Sequence, residues 1–259
     1  MRKIDFQIGF LNEINRSSLI SDKPTTFEIN YWLTAGIRKA VKTKYTGFNL
    51  KREAFEESEK RIEDLRFLVE EHTFDSTNLI KQTKTTSYDT YKLLFKNDSN
   101  FDVNDMWYIV NETVGISSTN KCWEILPGTS TPIIKTADVI QCTHDNIDQR
   151  LNNSLSDYHL HNNYARPLRL FTKNGVTFYT DGNYDINTYT ISYIKKPEAI
   201  DVTVDPFDEY TELPDSIHDE VIKLAAKMYI ENKMDQRYSS YTESIKMMHL
   251  EKFIFMMEQ

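Results

Sequence analysis

The hydrophobic periodicity of the chain changes twice, and this restricts the fold more than any single motif does. Near the start, Ile29, Leu33, Ile37, Ala40 and Val41 recur at spacings of three and four, the period of one helical face. Thr25 and Thr26 precede them as candidate N-caps, and Thr25 with Glu28 has capping-box spacing. Gly47 offers a stop. A second helix is predicted over residues 52–71, with Phe55, Ile62, Leu65 and Val69 as its apolar face. Its Glu56–Lys60 and Glu57–Arg61 pairs have i,i+4 spacing.

From about residue 74 the period shortens. Runs rich in Tyr, Thr and β-branched residues at 91–95, 106–110 and 121–126 read as strands. The clearest hairpin signal joins residues 175–180 to 188–194 through a turn cluster containing Asp181-Gly182. Residues 145–155 read as a short helix, because Ile147, Leu151 and Leu155 lie four apart. Helical spacing returns after Leu213-Pro214, with Asp215 or Ser216 as cap and Ile217, Val221, Leu224, Ala225 and Met228 on one face. A last helix is predicted over 235–256, with Tyr241, Ile245 and Met248 in phase.

The expectation is an α+β fold. Terminal helices form a helical bundle, and a β-rich domain is inserted between them. The predicted divisions are an N-terminal helical part at 1–73, the insertion at 74–212, and a C-terminal helical part at 213–259.

Composition narrows the function. The 259 residues are 39% hydrophobic and 27% charged, which suits a buried core rather than general disorder. Only 7 are glycine, and no two lie close enough to form GxGxxG or GxxxxGK[ST], so the common phosphate-cradling loops are excluded. Asn takes up turn positions instead, since it tolerates left-handed backbone. The two cysteines, Cys122 and Cys142, lack zinc-site partners and read as reduced structural residues. The first residues carry no signal-peptide apolar run, and no segment approaches 18 consecutive apolar residues, so neither secretion nor a membrane span is expected.

Catalytic signals are weak. His159 and His161 would share one side of a strand, as two metal ligands could, but no third ligand is indicated. His218 stands beside Asp219 and Glu220 at a helix start, where the acids more simply complement the helix dipole. GxSxG, HExxH and Cys/His/Asn signatures are missing. The expectation is therefore no enzyme, no cofactor and no metal.

Two segments invite an interaction reading. Met247, Met248, Phe253, Phe255, Met256 and Met257 crowd the C-terminus without keeping to one face. Such a segment is either a core helix or one that docks on a partner, with Ile245, Met248, Phe253, Phe255 and Met256 as contacts. The formal charge of -8 is also local. Residues 195–220 hold nine acids against Lys195 and Lys196, which leaves the rest of the chain nearly balanced. Asp201, Asp205, Asp208, Glu209 and Glu212 are the candidate channel-facing or interface acids. A solvated linker with a dipole-matched helix start is the plainer account of the same residues.

Four segments resemble the head-to-tail connector proteins of tailed bacteriophages, especially the ring-forming adaptors of crAss-like short-tailed phages. The most telling is 212–231, with Leu213-Pro214, His218, Glu220-Val221-Ile222, Leu224-Ala225 and Tyr229-Ile230-Glu231. The strand Tyr189-Thr190-Ile191-Ser192-Tyr193-Ile194 with Lys196-Pro197 is similar to the one that precedes this helix in the family. Asp145-Asn146-Ile147 through Leu151, and Phe27 through Ile37, resemble two further segments, with Thr34 where the family has Asn. Asn152-Asn153-Ser154-Leu155 departs from a Pro-Phe-rich continuation.

The resemblance implies a homo-oligomeric ring, commonly of twelve copies, in the virion at the portal vertex and assembled in the host cytoplasm. The portal protein and other connector or tail rings would be partners. Genomic DNA would pass through the channel without specific binding, and no membrane would be involved. A competing reading is an accessory β-domain that binds fibres or glycans through Trp107, Tyr108, Trp123 and Tyr179.

Overall fold

The computed structural model describes residues 1–17, 23–46, 59–83, 88–118, 133–152 and 165–233. It is mixed α+β, and the chain divides into two compact units, Met1–Leu68 with Lys196–Gln259, and Val69–Lys195.

The first unit holds α1 (Lys3–Ser17), α2 (Thr26–Thr46), α3 (Glu59–Leu65) and α5 (Asp215–Asn232). The capping box at α2 is formed. The Thr25 amide donates to the Glu28 carboxylate at 2.9 Å, and the Glu28 amide donates to Thr25 Oγ1 at 3.3 Å. The predicted face of α2 is the buried one, extended by Gly36 and Lys44. It packs antiparallel on α5, as the pairs Lys44–Glu220 and Glu28–Lys233 show. Gly36 makes the approach possible: a Cβ there would sit 2.9 Å from the Val221 carbonyl oxygen and 3.0 Å from Ala225 Cβ. On α5, His218, Ile222, Ala226, Tyr229 and Ile230 are buried beside the predicted Ile217, Val221 and Ala225, whereas Leu224 and Met228 are half-buried.

Three helical expectations are corrected. Helix α1 has no counterpart among the predicted helices, although Phe6, Phe10 and Ile14 lie four apart and are buried against the rest of the unit. The helix predicted to reach residue 71 ends with α3 at Leu65 and a 3-10 turn at Arg66–Leu68. Val69–Phe74 is instead strand β1, since it forms a continuous antiparallel ladder with β9 (Asp185–Lys195), Val69 on Ile194 through Phe74 on Tyr189. Sheet pairing overrides the local helical period there, and Ile62 and Val69 face outward. Finally, Pro214 occupies the N-cap of α5, so Asp215 is its first helical residue. The expected helix at 235–256 and the strand at 121–126 lie outside the described residues.

The second unit carries two sheets. The remaining elements are β2 (Leu79–Thr83), β3 (Asp89–Leu94), β4 (Met106–Ser117), β5 (Lys135–Asp138), β6 (Ile140–Cys142), α4 (Ile147–Asn152), β7 (Leu168–Thr172), β8 (Gly175–Thr180) and β9 (Asp185–Lys195). One sheet runs β1-β9-β4-β5 and the other β2-β3-β8-β7-β6, antiparallel except for β6 beside β7. An aromatic-rich core joins them: Phe178 of β8 meets Tyr189 of β9 edge-on at 4.9 Å, and Phe74 stacks on Tyr189 at 5.9 Å.

The expected hairpin is also corrected. The Asp181-Gly182 turn exists, with Gly182 at φ +78 and the Asp181 carboxylate accepting from the Asn183 amide. Yet β8 pairs with β3 and β7, whereas β9 pairs with β1 and β4. Both strands are largely buried, so burying Phe178 and Tyr189 against each other across the two sheets outweighs pairing them edge to edge.

Candidate functional site

The acidic link between β9 and α5 is ordered by apolar anchors that alternate with its acids. Ile200, Val202, Tyr210 and Leu213 are all buried. Asp201 Oδ1 accepts from Asn30 Nδ2 at 2.7 Å, from the Thr203 amide at 2.9 Å and from Thr203 Oγ1 at 2.5 Å. These donors, Thr203 first, hold the Asp201 carboxyl below its usual range. Asn30 Oδ1 in turn accepts from the Val202 amide, so a single side chain of α2 pins the start of the link.

Further along, the backbone turns at Asp205, which has φ 46 in the left-handed region that Asp tolerates. The Asp208 amide closes the turn on the Asp205 carbonyl at 3.1 Å. Two carbonyls of this turn then satisfy amides at the start of α1: Ile4 donates to Pro206 at 2.8 Å and Lys3 to Asp208 at 2.9 Å. The link thus serves as the cap of α1 as well as the connection to α5.

Its far end is fastened by Tyr210 and His218. The Tyr210 hydroxyl donates to the Glu198 carbonyl at 3.0 Å, and burial raises the phenol pKa. His218, at 2% exposure, lies 3.0 Å through Nε2 from the Leu213 carbonyl and meets the Phe6 ring edge-on at 4.8 Å. Burial lowers its pKa, against the opposing pull of the Asp215 carboxylate 3.0 Å from Nδ1. The histidine read as part of a dipole-complementing cluster is therefore a buried fastener between the link and α5.

The five candidate acids do not converge on a point. Asp205, Asp208 and Glu209 are exposed, while Asp201 and Glu212 are half-buried. Phe207, at 71% exposure, stands between the exposed acids, and Val204, at 55%, directly precedes them. The predicted docking residues Ile245, Met248, Phe253, Phe255 and Met256 lie outside the described residues, as do His159, His161, Trp123 and Cys122. Of the aromatics in the binding-module reading, Trp107 and Tyr108 are half-buried and stacked on one another, and Tyr179 is half-buried against Tyr88. Among the described residues no group of three or more His, Cys, Asp or Glu is placed to hold a metal ion, and no helix is long and apolar enough to cross a membrane.

Two polar clusters escaped sequence reasoning. Lys44 is buried on α2, with Nζ 2.7 Å from Asp64 of α3 and 2.9 Å from Glu220 of α5. A lysine in phase with Ile37, Ala40 and Val41 was the available signal. In the second unit, Glu112 of β4 pairs with buried Arg169 of β7 and accepts from the Tyr189 hydroxyl at 2.5 Å. They border a cleft of about 390 Å³ whose lining includes Gln141 and Phe171. Nothing in the local sequence points to this cluster, because three strands from two sheets assemble it.

What the described residues present is an α+β protein of two compact units, with charge and exposed aromatic side chains displayed on its helical unit. A family model for phage tail ring protein 3/4 matches residues 9–233. The chain belongs to this family, which is that of the crAss-like phage tail rings; it is a structural virion component that assembles as a ring with other tail proteins. No curated protein matches the chain.

Proposed function

We propose that this protein is a ring-forming head-to-tail connector subunit that joins the portal vertex to the tail and surrounds the genome channel. The family match across residues 9–233 carries the reading. The separation into a helical and a β-rich unit supports a division of labour. In this reading the helices, completed by the C-terminal segment 235–256, form a bundle at the ring, and the β-rich insertion contacts neighbouring rings or fibres. The ring has twelve copies, forms in the host cytoplasm, and passes DNA without binding it specifically.

Electron microscopy of purified portal vertices, with this chain traced, tests the reading. A ring between portal and tail is the expected result, and its absence from virions would refute it. Deleting residues 245–259 is expected to leave a folded protein that no longer attaches to the portal. Attachment that survives the deletion rules out docking through Ile245, Met248, Phe253, Phe255 and Met256.

A further inference from the structure

Among the described residues, the three most exposed large hydrophobic side chains are Phe27 at 81%, Phe207 at 71% and Tyr31 at 60%. All belong to the helical unit, Phe27 and Tyr31 on α2 and Phe207 on the link. Phe27 and Tyr31 begin an exposed stripe on α2 that continues through Arg38 and Lys42. These positions lie at i, i+4, i+11 and i+15, one face of a helix on the side away from Ile29, Leu33 and Ile37. At about 1.5 Å per residue the stripe is roughly 22 Å long, aromatic at one end and basic at the other. Phe207 stands on the link turn, beside Val204 and flanked by Asp205, Asp208 and Glu209.

The two surfaces complement each other in both respects. One pairs aromatic with cationic groups, and the other pairs apolar with anionic groups. A closed ring of identical subunits needs such a heterologous contact, in which one patch of each copy meets a different patch of the next. The link turn is also preorganised. The Asp208 amide closes it, and its Pro206 and Asp208 carbonyls are held by α1, so little ordering remains on contact.

We infer that the α2 stripe of one copy receives the link turn of the next copy, with Phe207 against Phe27 and Tyr31 and the link acids facing Arg38 and Lys42. The inference rests on the ring reading and names the subunit contact within it. In such a contact Phe207 is the central anchor, and the charges set register and exclude the reversed arrangement.

Charge reversal on each side tests it. One variant carries Asp205→Lys, Asp208→Lys and Glu209→Lys, and the other carries Arg38→Glu and Lys42→Glu. Self-association of full-length protein is followed by sedimentation velocity at low salt, with thermal unfolding by circular dichroism as the fold control. Wild type is expected to associate, and each variant alone to associate at least about a hundredfold more weakly. Mixing the two variants one to one should restore assembly, because alternating copies place every reversed link on a reversed stripe, or a native link on a native stripe. A misfolded variant could not produce that rescue. Wild-type assembly that both reversals leave intact, or a mixture that stays dissociated, overturns the contact while leaving the ring. Wild type that stays monomeric at every concentration counts against the ring reading itself, and the contact falls with it. Unchanged assembly of Arg38→Glu/Lys42→Glu together with lost retention of duplex DNA would overturn the contact in favour of a nucleic-acid face.

Discussion

Replacing Lys44 by Ala should be among the most damaging single changes in the helical unit. Lys44 and Asp64 are at 5% and 3% exposure, and their charged atoms lie 2.7 Å apart. Without the ammonium, Asp64 keeps, among the described residues, only the Ser216 hydroxyl at 3.4 Å and stays buried as an uncompensated carboxylate. Breaking a buried pair in this way costs about 3–5 kcal/mol. For a unit of this size that corresponds to a fall in unfolding midpoint of about 10–20 °C. Glu220, 2.9 Å from the same ammonium, is 42% exposed, so Glu220→Ala should cost no more than about 1 kcal/mol. Replacing both buried partners, as Lys44→Met with Asp64→Leu, removes the stranded charge and should return stability to within about 1–2 kcal/mol of wild type. Thermal and urea unfolding of the four proteins provides the measurement. Equal losses for Lys44→Ala and Glu220→Ala, or a double variant as unstable as the single, would refute the argument from burial.

Gly36→Val should destabilise by about 1–3 kcal/mol in urea unfolding, because the added atoms meet the Val221 backbone and Ala225, neither of which can rotate away. Thr25→Ala should cost about 1 kcal/mol by removing the hydroxyl that accepts from the Glu28 amide in the capping box at α2, read in the same way. His218 predicts a pH dependence. Its folded pKa is depressed by burial, so its contribution is present in full above the unfolded value of about 6.5 and is lost as pH falls through the folded value. Stability measured from pH 8 to 5 should decline over that lower range, and His218→Gln should flatten the decline. A decline of the same size in the variant would assign it to other groups.

The helix of α2 and its capping box were legible because each depends on neighbours within a few residues. The same holds for the face of α5 and the Asp181-Gly182 turn. Helix α1 was equally local, and its Phe6, Phe10 and Ile14 spacing was a readable signal. The end of the second helix was not readable. Residues 69–74 become strand only because β9, more than a hundred residues later, supplies the ladder. Partner choice for β8 and β9 was similarly hidden, since alternation and a good turn describe a hairpin and a crossing between sheets equally well. The charge excess of residues 195–220 was written in the sequence. Tertiary structure alone decided that Asp201 and Glu212 are half-buried while Asp205, Asp208 and Glu209 face outward. It also decided that the same segment caps α1 through its carbonyls and sets Phe207 among its acids, because sequence records which groups are present and only packing selects which of them reach solvent.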